Sequence, residues 1–435
     1  MAYLKKYKLS EIGQEDELRL FSRNVDAEHS ILNQVAGIVE EVKVRGDMAL
    51  REYSKKFDQV ALSQLVLDQD EIQTIAMQIG RNEQRALEIA FANIHKFHSI
   101  QNRRERSVET MPGVKCWREN RPIEKVGLYV PGGSAVLPST LLMLGVPARI
   151  AGNKEIVVCS PPQKNGKINP YLAYCLTLLR IDKIYLTGGA QAIAAMAYGT
   201  ETLPKVDKIF GPGNQYVTKA KSVVQSSLKV AIDLPAGPSE VLIIGDSTSN
   251  PVFIAADLLA QAEHGPDSQV VLVSSDENLL DQVNTQLEQQ LKTLPRAEIA
   301  KQALSQSFAV YCTDLNDAIE FSNRYAPEHL IIAVEEYQNL IPKISNAGSV
   351  FLGPLSAESF GDYASGTNHT LPTSGFAKAY SGVSVDSFMK KITFQQIRPE
   401  GLAQLGPIVE ILAEIEELEA HKRSISVRLA EQESL

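Results

Sequence analysis

The run Val-Gly-Leu-Tyr-Val-Pro-Gly-Gly-Ser-Ala, residues 126–135, decides the fold. A short apolar segment ends on a proline and paired glycines, which is how a buried strand leaves its sheet through a tight turn. An amphipathic stretch at 139–151 follows, and Ile156–Cys159 is a second apolar run. The alternation continues through 169–180, Ile184–Leu186, 190–198, Lys208–Phe210 and 215–225. Buried strands separated by stretches long enough for a crossover helix predict a parallel sheet. A second series repeats the pattern at Val241–Ile244, 251–263, Val270–Val273, 277–292, Phe308–Cys312, 315–325, Leu330–Val334 and Val350–Leu352. The run Leu-Pro-Ala-Gly-Pro-Ser-Glu, 234–240, separates the two series near Pro235–Pro238. Two doubly wound α/β domains are the natural reading.

Upstream, residues 26–103 read as helical. Ile31, Leu32, Val35, Ile38, Val39 and Val42 recur at helical spacing, and Asp70–Gln101 forms a second, longer stretch. Downstream of Ser374 the run Gly-Phe-Ala-Lys-Ala-Tyr-Ser-Gly is loop-like. Pro407–Leu429 then predicts a charged helix with Ile408, Ile411, Leu412, Ile415 and Leu418 on one face. Such a helix needs a surface to cover, on its own body or on a partner subunit.

A chain of 435 residues exceeds one ordinary hydrophobic core, so two or more domains are expected. Its 44% hydrophobic and 22% charged residues are those of a soluble globular protein. A formal charge of −9 argues against a nucleic-acid or anionic-membrane surface, either of which needs clustered Lys and Arg. Met-Ala-Tyr-Leu-Lys-Lys-Tyr-Lys at the start lacks the apolar centre of a signal peptide. No run of about 18 apolar residues offers a transmembrane helix. The cysteines Cys116, Cys159, Cys175 and Cys312 are scattered without a Cys-x-x-Cys pair. Two of them sit in apolar runs, so buried thiols and a reducing cytoplasm are expected.

The chemistry is concentrated in polar runs of the C-terminal half. These are Gln-Ala-Glu-His (261–264), Pro-Glu-His (327–329), Gly-Asp-Tyr-Ala-Ser-Gly-Thr-Asn-His (361–369) and Ala-His-Lys (420–422). Gln261 and His264 project from one face at the end of helix 251–263, which Gly265-Pro266 terminates. A carbonyl oxygen and an imidazole are competent zinc ligands, although a histidine at a helix C-terminus also suits the helix dipole. Asp362 would add a carboxylate, or merely form a turn. His421 lies on the terminal helix, where a solvated histidine is the plainer reading. Glu328 and His329 are neighbours able to divide base and acid work near neutral pH, or else a packed histidine beside a solvated glutamate. His369, after Gly-Thr-Asn, is either a pocket residue or a turn residue. Glycine signals at 130–135, 187–192 and 210–215 each follow an apolar strand and precede a helix, the arrangement that lets backbone approach a phosphate. No Gly-x-Gly-x-x-Gly fingerprint occurs, so tight turns remain a close alternative. Together these runs suggest a metal-assisted enzyme.

Taken in order, the sequence resembles the histidinol dehydrogenase family. The resemblance is carried by Asp-Leu-Leu-Ala-Gln-Ala-Glu-His-Gly-Pro-Asp-Ser-Gln (257–269), Pro-Glu-His-Leu-Ile-Ile (327–332) and the 361–369 run. Lys-Ile-Phe-Gly-Pro-Gly-Asn (208–214) and Pro-Ala-Gly-Pro-Ser-Glu-Val (235–241) add to it, and it extends from about Val126 to His421. It implies oxidation of L-histidinol to L-histidine through histidinaldehyde, with zinc and two NAD. By resemblance Gln261, His264, Asp362 and His421 are the zinc ligands, and Glu328 and His329 the catalytic pair. Ser239, His369 and Glu416 match substrate contacts, joined there by Gln261, His264, His329, Asp362 and His421. Tyr129, Gln191 and Asn214 match NAD contacts. The fold implied is two incomplete Rossmann-like domains, one inserted in the other, plus a helical C-terminal tail that crosses to the partner in a homodimer. Boundaries follow as an N-terminal arm at 1–25, a zinc and substrate domain at 26–125 and 239–375, an inserted NAD domain at 126–238, and a tail at 376–435. A zinc-dependent hydrolase with the same ligands and Glu328 as base is the rival reading. A non-catalytic metal-binding protein would not need Glu328-His329.

Overall fold

The computed structural model describes residues 3–22, 28–132, 136–227, 230–234 and 237–433. Parts of the glycine run at 133–135, of the inter-series break at 235–236 and of the helical stretch at 26–27 lie outside the described residues. The chain opens with β1 (Lys5–Lys8) and α1 (Gln14–Phe21), then α2 (Glu28–Tyr53), β2 (Val66–Leu67), α3 (Gln69–Ala76) and α4 (Arg81–Ser99). β3 (Val108–Met111) and β4 (Val114–Pro122) follow as an antiparallel pair. The first alternating series is β5 (Lys125–Tyr129), α5 (Pro138–Ala151), β6 (Glu155–Ser160), α6 (Pro170–Leu179), β7 (Ile184–Leu186), α7 (Gly189–Tyr198), β8 (Lys208–Phe210), α8 (Gln215–Ser227) and β9 (Ala231–Ile232). The second begins with β10 (Glu240–Gly245), α9 (Pro251–Ala262), β11 (Gln269–Ser274), α10 (Glu277–Leu291) and α11 (Ala297–Ser305). It continues with β12 (Phe308–Tyr311), α12 (Leu315–Tyr325), β13 (His329–Ile332), β14 (Ser349–Leu352) and α13 (Glu358–Tyr363). β15 (Met389–Ile397), α14 (Pro399–Ile415) and α15 (Glu419–Glu433) close the chain.

Each series makes a six-stranded sheet, one in the order β2-β7-β6-β5-β8-β9 and the other β1-β12-β11-β10-β13-β14. Apart from β2, which lies antiparallel to β7, every pairing in the two sheets is parallel. Strand order reverses between β5 and β8 in the first sheet and between β10 and β13 in the second. Crossovers leave in opposite directions at such a point and open a crevice. The strands are apolar without alternation because helices cover both faces. Val241 and Ile243 pack under α9–α11, while Leu242 and Ile244 face α12. Side chains of Asn250, Asp276 and Asp314 accept hydrogen bonds from the first turns of α9, α10 and α12, which fixes where each helix begins.

The fold is the expected α/β pair with one sheet inserted in the other, but the grouping of the N-terminal third differs from the sequence reading. β1 is an edge strand of the second sheet, paired with β12, so the described part of the expected N-terminal arm, residues 3–22, belongs to that sheet's domain. Leu20 is buried in that core and Phe21 packs against it. Helix α2 packs on α7 and α8, α3 on α6, and α4 on α5. These helices belong with the first sheet and not with 239–375. The stripe Ile31, Val35, Val39 and Val42 joins Ile193, Val217 and Val224 in one core. Periodicity reveals that a helix face is buried; it does not name the surface that buries it.

Residues 1–101 and 123–388 form one compact unit, and 102–122 with 389–435 form a second. The second unit holds the antiparallel sheet β15-β4-β3, where Trp117 stacks on Phe394 at 5.4 Å, and a helical hairpin in which Gly406 lies against Leu429. The single helix expected over Pro407–Leu429 is two helices, because Glu417 between them has φ +56°. No helix among the described residues is long and apolar enough to cross a membrane.

Phe321 on α12 is fully buried and meets Phe21 edge-on at 5.3 Å and Phe308 at 6.5 Å. Phe321→Ala should cost about 3–5 kcal/mol of stability, read as a lower urea midpoint. A loss under about 1 kcal/mol would show that this aromatic cluster does not hold the N-terminal helix to the sheet.

Candidate active site

Three of the four polar runs, at 261–264, 327–329 and 361–369, converge on the amino edge of the second sheet, beside its order reversal. His329 is the first residue of β13 and lies in register with Val241, so Glu328, just before β13, and Glu240, the first residue of β10, stand side by side where the strands begin. They are locked reciprocally: the Glu240 amide donates to Glu328 Oε2 at 3.0 Å, and the Glu328 amide donates to Glu240 Oε1 at 3.2 Å. Helix α9 delivers Gln261 and His264 to the same edge, because a helix antiparallel to its strands ends where they begin. The short helix α13 supplies Glu358 and Asp362, four residues apart and therefore on one face.

His329 is the centre of the cluster. Its Nδ1 donates to the carbonyl of Glu240 at 3.3 Å, with Glu328 Oε2 at 3.7 Å and Glu358 Oε1 at 3.8 Å. Its Nε2 lies 3.5 Å from Asp362 Oδ1 and makes no hydrogen bond among the described residues. Burial alone would depress this imidazole, but the carboxyls of Glu358, Glu328 and Asp362 outweigh it and push it up to about 10. Burial pushes Glu328 and Glu358 each up to about 8. For Asp362 burial acts upward, and His329 beside it prevails and holds the group below the usual carboxylate range. His369 donates from Nδ1 to the Asp362 carbonyl at 2.9 Å, and its Nε2 meets Thr140 Oγ1 at 3.3 Å. Burial holds this ring below its ordinary value, against the opposing pull of Asp362.

Such a cluster suits a divalent cation. One ligand atom from each of His264, Glu358 and Asp362 lies within 4.8 Å of the others. Glu358 Oε2 is buried with no hydrogen-bond partner among the described residues, and three carboxyls crowd one imidazole. A cation is the group that satisfies both conditions. Gln261 is fully buried; in the orientation that satisfies both ends, its amide nitrogen donates to Glu358 and its oxygen accepts from the Glu240 amide at 3.1 Å. His264 stands at the exposed rim. Ser239, half-buried, directly precedes Glu240. Glu416 ends α14 and His421 lies in the first turn of α15, both exposed and both on the second compact unit. Glu240 and Glu358 escaped the sequence reading. The spacing of Glu358 to Asp362 was the available signal for the latter.

The three residues matched to NAD gather at the carboxyl edge of the first sheet. Tyr129 ends β5, Gln191 lies in the first turn of α7, and Asn214 precedes α8. Tyr129 and Asn214 flank the point where strand order reverses, which is where open α/β sheets bind ligands. The Tyr129 hydroxyl, its pKa pushed to about 12 by burial, accepts from the Gly189 amide at 3.1 Å. Gln191 is buried, and Asn214 Oδ1 caps α8 through the amides of Tyr216 and Val217. Thr140 lies in the first turn of α5, so its contact with His369 joins the carboxyl edge of one sheet to the amino edge of the other.

Residues 21–429 match the family model described as histidinol dehydrogenase. The chain is 52% identical over 417 residues to the histidinol dehydrogenase of Bacteroides thetaiotaomicron, covering 96% of this chain and 97% of that one. The chain belongs to the histidinol dehydrogenase family. A chloroplastic histidinol dehydrogenase of Arabidopsis thaliana is also 52% identical, over 433 residues that cover 99% of this chain and 92% of that one. The crystal structure of histidinol dehydrogenase from Elizabethkingia anophelis superposes with a TM-score of 0.95 at 52% identity, covering 99% of each chain. Membership of the histidinol dehydrogenase family makes the chain an NAD-dependent oxidoreductase and sets the hydrolase reading aside.

Glu358 yields a test specific to this geometry. If the cluster holds a divalent cation, Glu358→Gln should weaken its retention by about 10- to 100-fold, measured with zinc as the probe by metal per chain after dialysis, with far-UV circular dichroism unchanged. Wild-type zinc retention by this variant would remove Glu358 from the cation cluster.

Proposed function

We propose that the chain oxidises L-histidinol to L-histidine through L-histidinaldehyde, reducing two NAD, in the last steps of histidine biosynthesis. Zinc would be held by Gln261, His264, Asp362 and His421, and NAD by Tyr129, Gln191 and Asn214. The observation that carries this reading is the buried Glu328–His329 pair, set beside the carboxyls of Glu358 and Asp362, whose backbone carbonyl His369 links to the first turn of α5. A substrate held at the amino edge of one sheet would thereby face a cofactor held at the carboxyl edge of the other.

When bound, zinc supplies positive charge and coordination positions for the imidazole and amine of histidinol, and NAD supplies the hydride acceptor. The chain's own residues then handle protons and position. His329 takes the alcohol proton at Nε2, while the Glu240 carbonyl holds Nδ1 and fixes the ring. A cation beside Asp362 and Glu358 would weaken the field that raises His329, which brings the imidazole toward the range of a working base. Glu328, whose carboxyl burial raises toward neutral pH, would exchange protons there and activate water on the held aldehyde. Ser239, His369 and Glu416 orient the substrate. Burial at the sheet edge keeps bulk water and amines from the aldehyde between the two oxidations. Glu416 and His421 would come from the tail of a partner subunit, so a homodimer would share its sites.

Incubation with L-histidinol and NAD should raise NADH absorbance, and chelation should abolish the rise while far-UV circular dichroism stays native. The α/β cores do not depend on a small metal site. Turnover that persists in metal-free protein would overturn the zinc assignment. Histidinaldehyde supplied directly separates the catalytic pair. His329→Asn should depress both oxidations, whereas Glu328→Gln should cripple aldehyde oxidation by about 10²–10⁴. Full aldehyde oxidation by Glu328→Gln would remove that residue from water activation.

A further inference from the structure

Lys221 lies in the middle of α8 and Asp233 just beyond β9, with side chains 4% and 1% exposed, and they form an ion pair inside the first domain. Two buried charges are expensive to desolvate, and an apolar pair of similar volume often stabilises a fold as well or better. The pair is therefore poorly explained by stability alone. Among the described residues, the other side-chain hydrogen bonds of both partners fall on one residue. Lys221 Nζ donates to the Gly211 carbonyl at 3.0 Å, and the Gly211 amide donates to Asp233 Oδ2 at 2.8 Å. Amide, carbonyl, ammonium and carboxylate thus close a ring around a single peptide residue.

Gly211 is the residue where β8 hands over to the loop before α8. Its φ of +131° suits glycine, and a Cβ there would fall 2.1 Å from the carbonyl oxygen of Tyr129. The clamp therefore presses the loop against the end of β5 from which the Tyr129 side chain projects. Three residues later Asn214 caps α8, the helix that also carries Lys221. Loop 211–214 is fixed at its start by the ion pair and at its end by the cap, across the reversal point of the sheet. We propose that the Lys221–Asp233 pair is the positioning element of the cofactor loop, setting NAD affinity through Gly211 without touching NAD. This rests on the assignment of Tyr129, Gln191 and Asn214 to NAD.

The test compares Lys221→Met with the paired variant Lys221→Met/Asp233→Leu, which leaves no uncompensated charge if the single variant fails to fold. KM and kcat are measured for both substrates in the zinc-loaded enzyme, with NAD binding by calorimetry and the thermal midpoint alongside. KM for NAD should rise about 10- to 100-fold, with kcat at saturating NAD within about twofold and KM for L-histidinol unchanged. Unchanged NAD affinity in the folded paired variant, whatever its thermal midpoint, overturns the proposal and leaves the pair a structural element. Asn214→Ala separates the two levels of inference. If it weakens NAD and the paired variant does not, the clamp alone fails. If neither weakens NAD, the cofactor assignment fails and the clamp with it.

Discussion

The imidazole of His329 among the carboxyls of Glu328, Glu358 and Asp362 is a costly arrangement to bury, and much of the surrounding architecture serves to keep it. Buried carboxyls close together repel one another and lose hydration. They stay in place only if their backbones cannot retreat. Here the paired strands β10 and β13 provide that rigidity, and the reciprocal amide–carboxylate bonds of Glu240 and Glu328 transmit it to the side chains. The short helix α13 completes the enclosure from outside the sheet.

Two sheets of the same strand order would, on the proposed function, be used at opposite ends. The first offers the carboxyl edge common to open α/β sheets, and the second offers its amino edge. That difference follows from what each end supplies. Loops leaving strand ends, followed by helix N-termini, present backbone amides that suit a phosphate-bearing cofactor. The amino edge receives the C-terminal ends of helices, where carbonyls and acidic side chains suit a cation. On the proposed function, opposed edges joined by the Thr140–His369 contact would let one chain present both environments to a small substrate.

The sequence made the two alternating series legible, because strands covered on both faces are written in unbroken apolar residues such as Val241–Ile244. Helix α9 with Gln261 and His264, and the Glu328-His329 pair, were equally visible from caps and local chemistry. Other features depended on long-range partners and were not. The stripe on α2 fits either sheet until its partners are known. β1, Lys-Lys-Tyr-Lys, is too polar to look like a strand, since only an edge position tolerates it. Glu358 sat in a run without periodicity, and its meaning came from Asp362 one helical turn away. The break at Glu417 gave no glycine or proline to mark it.

The insertion also sets a timetable for synthesis. Lys5 pairs with Phe308, so 303 residues must be added before β1 can meet its neighbour. At ordinary translation rates the strand waits roughly 15–60 s, while the inserted sheet, whose strands lie nearer together in sequence, has already emerged and can close. A nascent strand left unpaired that long invites capture by other chains. Three lysines in its four residues keep it hydrated and self-repelling until β12 appears.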